Sequence, residues 1–233
     1  PAASDFVLMW DNAYCVHHLT DTHDVILNML EECRKAGHED RALMFCSLSK
    51  VTFPGAGVAA MAASRRNIDY ILKNMFPMII SFDKLNQVRH IRFLKDMDGL
   101  AAHMEKHRAL LEPKFRAVLA ILDEGLSGCG SIARWTKPNG GYFLSLYTLG
   151  GCAKRTVQLC REAGVVLTDA GAAYPYGVDP QDSNIRIAPS FASAEEIEPA
   201  ARLFTICVRL ATLEKLAATR FASETALGAE RIA

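Results

Sequence analysis

The chain has 233 residues, of which half are hydrophobic and 22% are charged, a composition that suits one large or two small globular domains. The 26 basic and 26 acidic side chains cancel and form no long basic run, which argues against a nucleic-acid partner, and no apolar run reaches the roughly 18 residues of a membrane span. The seven cysteines are scattered without a CxxC pair, so we expect reduced thiols in a cytoplasmic protein rather than a disulfide framework or a metal site.

Apolar runs and helical patterns alternate in the first part of the chain. The predicted elements are, in order, a strand at 6–10, a helix at 24–36 that ends at Gly37, strands at 42–46 and 58–63, and a helix that Ser64 caps and that runs to Phe76. A strand, a helix and a strand at this spacing indicate a parallel sheet with crossover helices.

The later part of the chain changes character. The predicted elements are helices at 83–95 and 98–126, strands at 131–136 and 141–147 joined by the turn Lys137-Pro138-Asn139-Gly140, a helix at 152–163, a strand at 184–188 and a helix at 194–217. Pro113 is expected to interrupt and kink the long helix, which could bridge two domains. We therefore predict part of a large domain at 1–112, a small domain at 113–217 and a mobile tail at 218–233.

Chemically reactive side chains follow two of the predicted strands. Asp11 and Tyr14 come at the end of the first strand, and Lys50 follows the second strand in the sequence Ser47-Leu48-Ser49-Lys50. A lysine amine can form a Schiff base with an aldehyde, and an acid can pair with a pyridinium nitrogen. A phenol can bond a ring oxygen, and a hydroxyl can bond a phosphate. Together these groups suit a pyridine-aldehyde cofactor.

The motifs resemble those of a known enzyme family. Asp11-x-x-Tyr14, Ser47-x-Ser49-Lys50 and Asn184-Ile185-Arg186-Ile187 are similar to fold-type I, pyridoxal-phosphate-dependent aminotransferases, and the flanks at 11–19 and 49–58 resemble a bacterial aspartate-aminotransferase-like subgroup. The resemblance runs from about 6 to about 216 and covers only the C-terminal part of such a subunit. It implies an α/β fold: the C-terminal part of a large domain with a mostly parallel sheet and helices, plus a smaller α+β domain.

The resemblance also implies a role for each residue of the cofactor site. Lys50 would hold pyridoxal phosphate as a Schiff base and, once freed, move a proton at the substrate α-carbon. Asp11 would keep the pyridine nitrogen protonated, and the Tyr14 hydroxyl would bond the ring oxygen. Ser47 would bind the phosphate, with Ser49 as a second phosphate-binding hydroxyl. Many members of the family carry a phosphate-pairing arginine shortly after the lysine, where this chain has Val58.

Arg186 is the implied substrate-binding residue, because its planar fork matches a carboxylate in two hydrogen bonds. Each assignment has a plainer alternative. Arg186 could form a structural ion pair, Asp11 could cap a turn, and Lys50 could be a solvated surface charge. His17 and His18 are interpreted as packing or surface residues, since no further metal-ligating side chain stands at a suitable spacing.

The implied function is the transfer of an amino group from an α-amino acid, with aspartate or glutamate as the family-level expectation, to a 2-oxo acid in amino-acid metabolism and biosynthesis. Two alternatives stay open: a carbon–sulfur lyase that uses the same cofactor and lysine, and a non-catalytic fragment or sensor domain of the same fold. The expected partners are the amino-acid and 2-oxo-acid substrates and a second copy of the chain in a homodimer. Because the chain begins with Pro1 and lacks the family's upstream segments, we expect it to be incomplete on its own.

Overall fold

The computed structural model describes residues 3–230, with side chains described through Phe221. The chain divides into two compact units. The first comprises Pro1–Arg108 and Asn139–Gly141, and the second comprises Ala109–Pro138 and Tyr142–Ala233. Each unit has its own three-stranded sheet.

The sheet of the first unit has the order β1-β2-β3, with β1 at Leu8–Asp11, β2 at Ala42–Ser47 and β3 at Ala59–Ala63. Strands β1 and β2 are parallel, as the sequence predicted, and Asp11 lies opposite Phe45. The carboxyl ends of both strands therefore meet at one edge of the sheet. Strand β3 is antiparallel to β2, contrary to the pattern of β1 and β2. Residues 48–58 join the two strands without a helix, and a parallel connection needs a crossover, usually a helix.

The helices of the first unit are α1 at Met29–Lys35, α2 at Arg65–Met75, α3 at Lys84–Leu94 and the first part of α4, which spans Met97–Leu126. The predicted start of α1 at residue 24 is wrong. The helix begins later because the Asn28 side chain accepts a hydrogen bond from the Glu31 N–H and caps it there. The Ser64 cap of α2 is confirmed, since its hydroxyl accepts the Asn67 N–H.

Helix α4 contributes residues to both units. It is continuous through Pro113, so the predicted interruption at that residue is wrong. Its first residues, Met97–Arg108, belong to the first unit and the remainder to the second.

The second unit contains an antiparallel sheet with β4 at Ala133–Trp135, β5 at Leu144–Thr148 and β6 at Asn184–Ile187, and helices α5 at Ala153–Glu162 and α6 at Ala194–Glu230. Its fully buried side chains include Leu122, Leu144, Leu146, Ile185 and Val208. Helix α6 runs further than the predicted end at 217. The tail predicted to be mobile at 218–233 overlaps the end of α6, and its last three residues lie outside the described part of the chain.

The described residues include neither a membrane-crossing helix nor a metal-binding cluster. No described helix combines the length and the apolar character that crossing a membrane requires. No cluster of three or more His, Cys, Asp or Glu side chains suited to a metal ion occurs among residues 3–221.

Candidate functional site

Strand β1 ends at Asp11, and a turn-rich segment that carries Tyr14 follows it. The Asn12 N–H continues the sheet ladder to the Phe45 carbonyl at 2.8 Å, and Asp11 then accepts the Ala13 N–H on Oδ1 at 3.0 Å. Asp11 thus caps a turn, as the plainer alternative held. The cap uses one carboxylate oxygen, and in the described part of the chain no hydrogen bond occupies the other.

Asp11 and Tyr14 line one cavity of about 260 Å³ in the first unit. Its other wall is the tip Asn139–Gly141, where the Gly141 N–H donates to the His17 carbonyl at 2.8 Å. A Cβ on Gly140 would stand 2.6 Å from that same carbonyl oxygen. Glycine is needed at 140 because the two backbones approach too closely for any side chain.

The loop after β2 brings two hydroxyls together. Ser47 Oγ donates to Ser49 Oγ at 2.9 Å and accepts the Ser49 N–H at 3.1 Å. The Leu48 N–H donates to the Val58 carbonyl at 2.8 Å, which closes the loop beside Gly57. A Cβ on Gly57 would lie 3.0 Å from both the backbone nitrogen and the hydroxyl of Ser49. The hydroxyl pair therefore sits in a cradle that only glycine leaves open.

Lys50 is exposed, and hydrogen bonds to Leu48 and from His17 hold the turn that carries it. The N–H groups of Val51 and Thr52 both donate to the Leu48 carbonyl, at 3.0 and 2.9 Å. Val51 is only 1% exposed. The Lys50 carbonyl accepts a hydrogen bond from His17 Nε2 at 2.9 Å.

Histidines hold the next two residues as well. His103 Nε2 donates to the Val51 carbonyl at 2.8 Å, and His90 Nε2 lies 2.7 Å from the Thr52 hydroxyl. The prediction that His17 is only a packing or surface residue missed its bond to Lys50, and His90 and His103 carried no predicted role. The usable signal was the spacing of His103 and His107, which places both imidazoles on one face of α4.

The imidazoles of His17 and His107 favour the neutral form. Burial lowers the pKa of His17, partly offset by its hydrogen bonds to backbone carbonyls. Burial also lowers the pKa of His107, and the neighbouring His103 and His17 lower it further. The pKa of the Cys15 thiol is raised, first by burial and then by the nearby Cys46.

Arg186 stands on β6 in the second unit. Its guanidinium carbon lies 4.6 Å from the centre of the Phe143 ring, and Ser145 is its neighbour across the sheet. Its Nε is buried and has no hydrogen-bond partner within residues 3–221, and no ion pair of Arg186 occurs there. The plainer alternative of a structural ion pair has no support in the described part of the chain.

Asp179 fixes the start of that strand. Its Oδ2 accepts the N–H groups of Ser183 and Asn184 at 2.7 and 2.8 Å. Burial acts to raise the pKa of Asp179, but these hydrogen bonds to the charged form outweigh burial and hold the pKa below its usual value. The strand that carries Arg186 is thus anchored to a carboxylate that stays ionised.

The chain is similar to aminotransferases in sequence and in fold. The family described as aspartate amino-transferase matches residues 1–220. A putative aminotransferase of Mycolicibacterium smegmatis is 48% identical over 215 residues, which are 92% of this chain and 50% of that protein. The crystal structure of an aspartate transaminase from Corynebacterium glutamicum superposes with a TM-score of 0.88 at 42% identity, covering 92% of this chain and 50% of that one.

A more distant structure shares the fold alone. It is an α-aminoadipate aminotransferase of Thermus thermophilus, complexed with N-(5'-phosphopyridoxyl)-L-leucine, with a TM-score of 0.70 at 22% identity; it covers 89% of this chain and 51% of that one. The chain spans about half the length of the relatives that it matches. The expected α/β fold class and the expected resemblance are both confirmed, and the chain belongs to the aspartate amino-transferase family.

Proposed function

We propose that the full-length protein is a pyridoxal-phosphate-dependent aminotransferase that moves the amino group of an α-amino acid, aspartate or glutamate, to a 2-oxo acid. The observation that carries the proposal is the meeting of β1 and β2 at one sheet edge. Asp11 ends β1 there and Tyr14 follows it, while Ser47 ends β2 and leads into the loop that carries Lys50. The name of the Corynebacterium glutamicum relative supports aspartate as a donor.

The residues at this edge fit the polar groups of pyridoxal phosphate. The paired hydroxyls of Ser47 and Ser49, in the cradle beside Gly57, offer donors to a phosphate without the arginine that Val58 replaces. Asp11 has a carboxylate oxygen available for the ring nitrogen, and Tyr14 offers a phenol to the ring oxygen. When bound, the cofactor supplies an aldehyde for amine exchange and a ring that accepts an electron pair from the substrate α-carbon.

Lys50 holds the cofactor through its amine and serves as the base and acid of the transfer. When the cofactor is bound, the Lys50 amine would be the group that takes the proton from the substrate α-carbon and gives a proton back. Asp11 keeps the ring nitrogen protonated during that step, because its negative charge favours the cationic ring. The exposure of Lys50 supports this role, since the amine must reach both cofactor and substrate.

Arg186 binds the α-carboxylate that all substrates share. Its fork offers parallel N–H donors, and the Phe143 ring supports one face of the guanidinium. The unpaired Nε supports this assignment, since a buried guanidinium nitrogen without a partner calls for an acceptor from outside the described chain. The same contact would serve the amino acid and the oxo acid alike.

A homodimer is the proposed assembly. The segment between α2 and α3 exposes several apolar side chains, among them Met78 at 81% and Ile80 at 87%. Apolar patches of this kind are usually covered by another protein surface. Sedimentation of the full-length protein at micromolar concentration is expected to give twice the subunit mass.

Isotope transfer tests the function. With ¹⁵N-labelled aspartate and 2-oxoglutarate, the full-length protein should produce labelled glutamate and an equal amount of oxaloacetate. The Lys50→Ala variant should lose this transfer, because no amine remains to move the proton. With cystathionine in place of aspartate, hydrolytic release of a thiol, pyruvate and ammonium would instead identify a carbon–sulfur lyase. Absence of both the transfer and this elimination would contradict any catalytic role.

A further inference from the structure

Three imidazoles converge on three consecutive residues of the lysine turn. His17, in the segment after β1, bonds the Lys50 carbonyl, and His103 of α4 bonds the Val51 carbonyl. His90 of α3 bonds the Thr52 hydroxyl. Each imidazole comes from a different segment of the first unit, so three separate segments are hydrogen-bonded to the turn. We call His17, His90 and His103 the imidazole clamp.

The direction of each hydrogen bond follows from the partner. A carbonyl oxygen only accepts, so Nε2 of His17 and of His103 carries the proton. His90 is held from behind, because its Nδ1 donates to the Asn86 carbonyl at 2.8 Å. His103 stands edge-on to Phe93, with the ring centres 5.0 Å apart. His17 and His103 therefore donate to the turn, whereas His90, whose proton is on Nδ1, accepts the Thr52 hydroxyl proton at Nε2.

Burial makes these bonds costly to lose. His17 is 3% exposed and His90 is 5% exposed. A carbonyl that loses its donor in such surroundings stays desolvated without a partner, which destabilises that conformation. The turn would then open, and the amide protons of Val51 and Thr52 would lose their bonds to Leu48.

We propose that the imidazole clamp is a set of positioning residues that fixes the backbone of Lys50 and so keeps its amine at the cofactor. The proposal rests on the proposed role of Lys50. His17 has a second link, since its ring packs edge-on against Tyr14 with centres 5.4 Å apart. One imidazole therefore couples the lysine to the phenol that is proposed to bond the cofactor ring.

The clamp can be tested with substitutions that keep or remove the hydrogen-bond donor while they change the size of the side chain little. A glutamine amide reaches the position of imidazole Nε2, whereas an asparagine amide is shorter and matches Nδ1. His17→Gln should therefore keep the donor to Lys50, and His17→Asn should remove it. The same pair at His103 tests the bond to Val51.

Hydrogen exchange of the full-length, cofactor-free protein is the first readout. In His17→Asn the amides of Val51 and Thr52 should exchange about five- to a hundredfold faster, because opening the turn no longer breaks a buried bond to Lys50. His17→Gln should stay close to the original protein. His38→Gln is the matched control, because His38 is exposed and stands outside the clamp.

The second readout is retention of pyridoxal phosphate after dilution, followed by its visible absorption. His17→Asn should lose the cofactor faster than His17→Gln. Cofactor retention in the Gln variant would show that the hydrogen bond to Lys50 matters, and not only the packing of the ring. Equal exchange in the Gln and Asn variants, whether slow or fast, would overturn the proposal. If faster exchange also reached helix α5, the variant would be unfolding globally, and the His103 pair would then decide by the same criterion.

The two proposals fail separately. If the original protein takes up no cofactor, the proposed function is wrong, while the exchange difference at Val51 and Thr52 still reports on the clamp. If the protein takes up cofactor but exchange does not respond to loss of the amide donor, the function stands and the clamp does not.

Discussion

Arg186 is the residue whose replacement separates carboxylate binding from structural support. We predict that Arg186→Lys lowers kcat/KM for amino acids and oxo acids alike, because a point charge cannot reproduce the fork. The loss should correspond to about 2–5 kcal/mol of transition-state binding. Steady-state kinetics with both substrate types measure it.

Arg134→Lys provides the matched control, since Arg134 also stands over an aromatic ring of the same sheet, 3.9 Å from the centre of Tyr147. That variant should keep its catalytic efficiency. Unchanged efficiency in Arg186→Lys would show that Arg186 supports the sheet and does not bind substrate.

Asp11 is expected to act on chemistry more than on cofactor binding. Asp11→Ala should retain part of the pyridoxal phosphate and lose most turnover, since the ring nitrogen loses the charge that keeps it protonated. Absorbance measures retention and single-turnover kinetics measure the chemical step. Near-normal turnover would remove Asp11 from the mechanism and leave it as the turn cap that its bond to Ala13 already shows.

Gly57 shapes the cradle around Ser47 and Ser49, which is proposed to hold the phosphate. Gly57→Ala is predicted to raise the Kd for pyridoxal phosphate roughly tenfold or more, because the added methyl displaces Ser49 at a cost of about 1–3 kcal/mol. Equilibrium titration measures the change. Gly128→Ala is the control, since a Cβ there meets nothing within 4 Å. Equal affinity in both variants would mean that Ser49 does not hold the phosphate.

The sequence was enough to single out residues that belong to chemical motifs. It did not indicate the residues that hydrogen-bond to the turn after Lys50. Lys50, Asp11 and Arg186 could be singled out because their side-chain types are diagnostic in combination. His90 and His103 could not, because a hydrogen bond to a main-chain carbonyl or a hydroxyl requires only a suitable position in space. That position depends on how α3 and α4 pack beside the lysine turn.

The lowered pKa values of His17 and His107 predict that the folded protein becomes less stable as the pH falls. The pKa values of His17 and His107 lie below the ordinary 6.5 in the folded chain, chiefly because burial disfavours the charged form. The unfolded chain therefore binds more protons, so this stabilisation is complete above about pH 6.5 and is lost as the pH falls through the lower folded values. The melting temperature should therefore fall steeply when the pH is lowered from about 7.5 to about 5.

The same melts of His17→Gln should show a shallower fall, since the amide does not titrate. His38→Gln should keep the original slope, because His38 is exposed. An identical slope in all three proteins would place the acid sensitivity elsewhere.

At the scale of elements, the sequence located nearly every helix and strand, and the errors have local causes. Helix α1 starts late because the Asn28 side chain caps it, and β3 is antiparallel to β2 because residues 48–58 between them form no crossover helix. The grouping of Asn139–Gly141 with the first unit could not be foreseen. It depends on backbone bonds to the segment after Tyr14, which no periodicity reveals.

For the whole molecule, we predict that a polypeptide of these 233 residues alone lacks transamination activity. The chain spans about half the length of its relatives, and apolar side chains such as Met78 and Ile80 are exposed. Exposed apolar side chains of this kind favour association with other protein surfaces. Assays of residues 1–233 and of the full-length protein, each with added cofactor, test this. Comparable turnover in both would show that the chain is sufficient by itself.

Borohydride reduction tests whether Lys50 carries the cofactor. The full-length protein should be yellow with pyridoxal phosphate, and reduction followed by proteolysis and mass spectrometry should find the pyridoxyl group on the peptide that contains Lys50. The Lys50→Arg variant, which keeps the charge but forms no stable Schiff base, should give no labelled peptide. Labelling at another lysine, or no labelling of the original protein, would contradict the account.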